Sequence, residues 1–150
     1  SANWDHWQQI GFASQLDALG LNGYIPLATT NDDRDEALVA RWLPFRSRIH
    51  RWTRDSGIPV FFSELGFPYH SLGLQEPWNN TVVAAADPVL QARGYQSFLD
   101  TFSTDPLLQG VFFYALHMDG GEHDPSYTPA GKPAEELLRA HLQRGTGEPR

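Results

Sequence analysis

The chain has 150 residues, with 11 Lys and Arg against 18 Asp and Glu, for a formal net charge of −7. Hydrophobic residues make up 41% and charged residues 19%, which excludes a disordered polyelectrolyte, and no stretch approaches the roughly 20 consecutive apolar residues of a membrane-spanning helix. An acidic balance with a single Lys argues against a nucleic-acid groove, and the absence of Cys removes disulfides, thiolate zinc sites and cysteine nucleophiles.

The sequence opens SANWDHW with neither an initiator Met nor a signal peptide, its only Met is Met118, and it ends RGTGEPR. From these features the natural N-terminus is expected to lie elsewhere, with one domain over 1–143 and a disordered tail over 144–150.

In chain order, Trp4 to Leu16 is expected to hold a short helix. The first apolar run extends from Leu19 to Ile25 (LGLNGYI) and is followed by a polar loop from Pro26 to Asp35. Trp42, Phe45, Ile49 and Trp52 then recur at helical spacing, predicting an amphipathic helix that ends at Gly57 with Pro44 in its first turn. Arg41, Arg46, Arg48, Arg51 and Arg54 lie between them, either as a solvated outer face or as a basic binding face. The second run, Ile58 to Glu64, precedes a long loop through Pro68, Gly73, Pro77 and Asn80. Asp87 and Pro88 open a helix that turns Leu90, Tyr95, Phe98, Leu99 and Phe102 inward. The third run, Gly110 to Leu116, leads into the loop HMDGGEHDPSYTPAGKP and a last helix from Pro133 to Leu142 with Leu137, Leu138 and Leu142 as its stripe. Near-continuous apolar strands suit a parallel sheet covered by helices. The loops after the strands are the longer ones, and α/β folds place their chemistry there.

The sharpest single feature is VFFSELGFP, residues 60 to 68. A carboxylate at the carboxyl end of a buried apolar strand is costly unless something there uses it. Glu64 is therefore either a functional carboxylate or one partner of a salt bridge to a neighbouring strand end. A second polar cluster, His117, Asp119, Glu122, His123 and Asp124, matches no defined metal-binding spacing. It reads as a solvated loop rimming a cleft or, less simply, a divalent-cation site, and no metal is assigned. Neither a Gly-rich phosphate loop nor a G-x-S-x-G elbow is present. His6, His50, His70 and His141 have no partner identifiable from sequence.

The series NGYIPLA, IPVFFSELGFP, Pro77-Trp78, Gln91 with Tyr95, GVFFYA and GKPAEELL resembles glycoside hydrolases of the large (β/α)8 retaining clan. Within that clan it is most similar to glycoside hydrolase family 113, which includes bacterial β-mannanases. The resemblance covers nearly all of residues 3 to 138, but only the C-terminal half of the barrel. It implies an α/β fold that is the C-terminal half of a (β/α)8 TIM barrel, with parallel strands from the end of strand five to strand eight and flanking helices.

Carried over by position, the resemblance implies that Glu64 is the catalytic nucleophile at the end of strand seven. Tyr24, at the end of strand six, is implied to hydrogen-bond and orient that carboxylate. Trp78 and Tyr114 are candidate sugar platforms, and Asn3 and Trp4 match the end of strand five, where they line the cleft or cap the next helix. Many relatives carry a Trp where this chain has Tyr114. The implied partners are a β-linked polysaccharide or oligosaccharide such as β-mannan and a missing N-terminal half-barrel, with no cofactor, no metal, no nucleic acid and no membrane span. The implied location is extracellular or in the cell envelope.

The acid/base carboxylate, placed by the resemblance in an Asn-Glu pair after strand four, has no counterpart here; Glu36, Glu76 and Glu122 are loop or helix-start residues. Three full strands do not close a barrel, so the exposed sheet edges are expected to favour association and the isolated chain is expected to be inactive. Two alternatives remain at this point: a catalytically silent carbohydrate-binding or interaction module derived from the same barrel, and an unrelated α/β domain in which Glu64 is structural.

Overall fold

The computed structural model describes residues 1–30, 33–116, 120–121 and 123–145. The apolar runs form strands β2 (Leu19–Asn22), β3 (Val60–Leu65) and β4 (Leu108–Phe113), preceded by a two-residue strand β1 (Ala2–Asn3). They lie in the order β1-β2-β3-β4 and every neighbouring pair is parallel. Helices α1 (Asp35–Ser56), α2 (Pro88–Phe102) and α3 (Pro133–Gly145) follow β2, β3 and β4 in turn. The short helix expected before β2 is two single 3₁₀ turns, Trp7–Gln9 and Ala13–Gln15.

Trp42 is the hub of the core. Its ring meets Phe45, Phe62, Phe98 and Phe102 edge to face, with centroids 5.5–6.4 Å apart, an arrangement that aromatic quadrupoles favour. Its Nε1 donates to Ser97 Oγ at 3.1 Å, so the buried indole keeps a partner. Leu19, Leu21, Val60, Phe62 and Leu65 turn toward this helical layer and are all buried. The opposite face of the sheet carries Gly20, Asn22, Phe61, Ser63 and Phe112. There Phe61 and Phe112 meet edge to face, 6.1 Å apart, and Phe112 is 66% exposed. One face is dry and the other open.

Helix α1 starts at Asp35, so Pro44 lies inside it rather than in its first turn. An interior proline costs about 3 kcal/mol, and burial of Leu38, Trp42, Phe45 and Ile49 along one stripe offsets it. Pro44 and Ala40, whose carbonyl loses its partner, are both exposed, which sets that oxygen on the solvent side of the helix. The helix stops as expected at Gly57, whose φ of 72° is left-handed and whose N–H bonds to Thr53 O.

Asp87 caps α2 by accepting from Leu90 N at 2.9 Å, with Pro88 at the first helical position. The five residues expected to turn inward from α2 are buried. Helix α3 passes the expected end at Leu142 and continues to Gly145, while 146–150 lie outside the described residues. Ala134 and Leu138 carry its burial, and Leu142, expected in the stripe, is 60% exposed. It lies with His141 on the rim of a cavity of about 240 Å³ beside β4, the edge strand of the sheet.

The arginine stripe of α1 is not simply solvated. Arg41 donates to Leu27 O at 2.7 Å and Asp33 Oδ2 at 3.0 Å, bracing the loop before the helix. Arg46 Nε and His50 Nε2 reach the buried Asp105 carboxylate at 2.5 and 2.7 Å. Burial alone would raise the Asp105 pKa, but the Leu107 amide, Arg46 and His50 together hold it below the usual carboxylate value. A carboxyl group that titrates lower folded than unfolded stabilises fully above its unfolded pKa, near 4, and loses that contribution as the pH falls through the folded value. Asp105→Asn is expected to cost about 2 kcal/mol at neutral pH. The gap to the unchanged chain should close in urea melts run progressively below pH ~4.

Candidate active site

Strand β3 does not alternate to its end. Val60 and Phe62 face the helices, yet the next residue to do so is Leu65, not Glu64. Pairing with β2 shifts between Leu21 and Asn22, and pairing with β4 shifts between Phe62 and Leu65. This is the one-residue excess of a β-bulge. It frees Glu64 from the apolar layer and leaves it partly buried at the carboxyl end of the sheet.

Two glycines bring Tyr24 and Tyr114 to it. A Cβ on Gly23 would sit 2.6 Å from Phe62 Cδ1, so only glycine lets the end of β2 close onto β3. Gly23 N then donates to Glu64 O at 2.7 Å, which delivers Tyr24 beside the carboxylate. A Cβ on Gly66 would run into the carbonyl oxygen of Tyr114, which explains the glycine two residues after the glutamate.

The outcome is a direct bond: Tyr24 Oη donates to Glu64 Oε2 at 2.9 Å. Burial first, then this bond and the charge of Glu64, push the Tyr24 hydroxyl far above the usual phenol pKa. It therefore stays a donor at any working pH. Around it stand Tyr114 and Tyr127, their rings 6.3 and 5.9 Å from that of Tyr24 and 5.4 Å from each other, all near edge to face. Burial and the neighbouring Tyr114 raise the Tyr127 hydroxyl to about 12. The only carboxylate that acts on Tyr24 among the described residues is Glu64.

No protein-family model matches the sequence, and no curated protein matches it. Among solved structures the chain is similar to a GH113 β-1,4-mannanase and to a GH113 β-1,4-mannanase complex, at 22% and 21% identity. It is similar as well to the GH113 β-mannanase AaManA from Alicyclobacillus acidocaldarius in complex with ManMIm, at 22% identity. Each match has a TM-score of 0.77 and covers 94% of this chain but 43% of the other. The fold is half of a (β/α)8 barrel.

The half-barrel thus spans less than half the length of those mannanases. Its open sheet face corresponds to a barrel interior, and its strand carboxyl ends to the end where such barrels hold their sites. The remaining candidate residues fall into two groups at that end. Asn3, Trp4 and Trp78 line one cavity of about 270 Å³ together with Asp5, and Trp78 is 50% exposed. Tyr114, 41% exposed, lines a separate cavity of about 420 Å³ with His70, Val82 and Ser126 among its walls. The structure brings Tyr24, Glu64 and Tyr114 together, and Trp4 and Trp78 together.

Glu76 is engaged by Asn79 Nδ2 at 2.8 Å and Glu36 sits in the exposed first turn of α1. Of the second polar cluster, His117, Asp119 and Glu122 lie outside the described residues, among which no metal-sized group of ligands occurs.

Sequence reasoning assigned no role to Tyr127, Gln91, His70 or Lys132. Gln91, buried in α2, donates to Phe67 O at 2.8 Å and Tyr127 O at 3.2 Å. His70 Nδ1 accepts from Leu72 N at 3.2 Å, which leaves Nε2 to donate to Asn79 O at 3.1 Å. Lys132, the sole lysine, stacks over Tyr69 at 4.2 Å and donates to Ser126 O. The GKPAE motif was the available signal for Lys132; a lone Tyr in a polar loop gave none for Tyr127.

Two outcomes follow from this geometry. Gly66→Ala is expected to lose about 1–3 kcal/mol in denaturant melts, because backbone rather than a side-chain tip must yield. In a near-ultraviolet tyrosinate titration, Glu64→Gln should ionise one tyrosine at lower pH than the unchanged chain, because it removes the charge that opposes phenolate at Tyr24.

Proposed function

We propose that this half-barrel is the nucleophile-bearing part of a retaining glycoside hydrolase that acts on a β-linked polysaccharide such as β-mannan. The observation that carries the reading is the 2.9 Å bond from Tyr24 Oη to Glu64 Oε2 at the carboxyl end of a sheet similar to those of GH113 mannanases. Tyr24 occupies one carboxylate oxygen and leaves Oε1 to attack the anomeric carbon. A glycosyl–Glu64 ester forms as the bond to the leaving-group oxygen breaks, and water then cleaves the ester with retention. Negative charge leaves the carboxylate as the ester forms, and the Tyr24 bond holds its orientation through both steps.

A retaining site needs a second carboxyl group about 5–5.5 Å from the first, to protonate the leaving oxygen and then activate water. In this reading a complementary N-terminal half-barrel supplies it and covers the open sheet face. Trp78 and Tyr114 offer exposed aromatic faces for sugar stacking, Trp4 and Asn3 line the cleft beside Trp78, and the enzyme works outside the cell or in its envelope. That Glu64 is the only carboxylate acting on Tyr24 among the described residues also favours a second reading, a catalytically silent carbohydrate-binding module built on the same half-barrel.

The two readings separate on covalent trapping. A 2-deoxy-2-fluoro-mannosyl fluoride, reacted with this half-barrel joined to a complementary half carrying an acid, is expected to label the peptide containing Glu64. Label elsewhere removes the nucleophile assignment, and binding without label or turnover favours the silent module. Glu64→Gln should lower turnover by on the order of 10⁴. Tyr24→Phe, which removes one hydrogen bond to a charged group, should lower it roughly 10- to 100-fold. The 150-residue chain alone is expected to give no turnover; activity of the purified chain that Glu64→Gln abolishes would show that no second half is needed.

A further inference from the structure

The Tyr24–Glu64 pair and the Trp78 platform belong to different loops, and one buried side chain touches both neighbourhoods. Tyr127 is 5% exposed. Its ring packs edge to face on Tyr24, with planes 67° apart, and its hydroxyl donates to Pro77 O at 2.6 Å. That carbonyl belongs to the peptide plane from which Trp78 projects.

Tyr127 itself has little freedom. Its own carbonyl accepts from Gln91 Nε2, and the preceding carbonyl, Ser126 O, accepts from Tyr69 N and Lys132 Nζ at 3.3 Å each. Its ring edge also closes on Gly66, where an added Cβ would meet Tyr127 Cδ1 at 3.1 Å. The segment is thus fixed to α2, to the start of the β3–α2 loop and to the base of α3, while its side chain reaches out to the site. The rest of the loop that carries Trp78 has anchors of its own, Leu74 O to Leu27 N and Ala28 N, and Asn79 O to His70. Loss of the Pro77 contact would therefore act locally.

We propose that Tyr127 is a positioning residue that couples the nucleophile to the sugar platform: its ring sets the plane of Tyr24, and its hydroxyl sets the peptide that carries Trp78. The consequence for sugar binding rests on the glycosidase reading, whereas the tether itself does not. Tyr127→Phe keeps the ring and deletes the tether. Tyr127→Leu deletes both.

With 5-fluorotryptophan in place of the five tryptophans, fluorine NMR of the full chain gives a resonance for each indole, and Trp78→Phe assigns that of Trp78. In Tyr127→Phe the Trp78 signal is expected to shift or broaden while those of the core residues Trp7 and Trp42 stay in place. With 3-fluorotyrosine in place of the tyrosines, the Tyr24 resonance, assigned by Tyr24→Phe, is expected to shift in Tyr127→Leu, which loses the edge-to-face ring, and to stay near its place in Tyr127→Phe, which keeps it. Titration of β-1,4-mannohexaose is expected to give about five- to tenfold weaker binding for Tyr127→Phe than for the unchanged chain, the scale of one net hydrogen bond. An unmoved Trp78 signal in Tyr127→Phe overturns the proposal, as does movement of all the tryptophan signals together, which marks a general packing role. A shifted Trp78 signal in a half-barrel that does not bind the oligosaccharide even when joined to a complementary half upholds the tether and overturns the carbohydrate reading instead.

Discussion

A single extra residue near the end of β3 governs the site. Had the alternation of Val60 and Phe62 continued, Glu64 would point into the layer of Phe62, Trp42 and Phe98, and a bare carboxylate there costs several kcal/mol or is forced neutral. The bulge hands that inward position to Leu65 and turns Glu64 out, while its carbonyl stays bonded to Gly23 N. The strand therefore keeps its apolar seal and its anchorage to β2 while presenting an acid at its tip. Tyr24 and Gly66 follow from that slip: one bonds the displaced carboxylate, and the other allows the end of β4 to approach the shortened turn behind it.

The two faces of the sheet divide the labour. The helical face is dehydrated by interlocking aromatic rings and cross-braced at its amino end by Asp105 with Arg46 and His50. That bracing holds the strands at fixed heights, so that the loops at the opposite end start from defined positions. The other face leaves Phe112 in water and both edge strands with one neighbour each, a surface that folding within this chain does not cover. A parallel sheet with one wet apolar face is unusual for α/β architecture, and the 43% coverage of the mannanase chains gives that face a geometric counterpart.

Much of this was legible in the sequence because it has a period or a fixed local spacing. Asp87-Pro88 marked the start of α2, Gly57 the end of α1, and the three apolar runs the order of the strands. The likeness of NGY and E-x-G to a glycosidase pattern placed Tyr24 next to Glu64 before any coordinate did. What stayed hidden depends on contacts across long stretches of chain. Pro44 looked like a helix start because a proline's local cost is visible in sequence and the burial that offsets it is not. Leu142 matched the helical stripe, but the stripe runs past the last strand. Asp105, His50 and Gln91 are polar residues with distant partners, and composition carries no trace of such pairs. The bulge was equally silent, since VFFSEL reads as simple alternation until its register against two neighbours is known.

The site is asymmetric in a way that suits the chemistry proposed for it. Among the described residues, Glu64 is held by Tyr24 on the carboxylate and Gly23 on its carbonyl, with the tyrosine trio behind them held by Gln91 and Pro77. In a retaining glycosidase the nucleophile must be set before the substrate arrives, because its attack angle decides whether the ester forms, whereas the acid must meet the leaving oxygen from elsewhere around the scissile bond. A phenol that stays protonated serves the first need better than an ammonium or guanidinium would. It fixes the carboxylate by a directed bond without placing a full positive charge beside the oxygen that attacks, and so holds geometry at little cost in nucleophilicity.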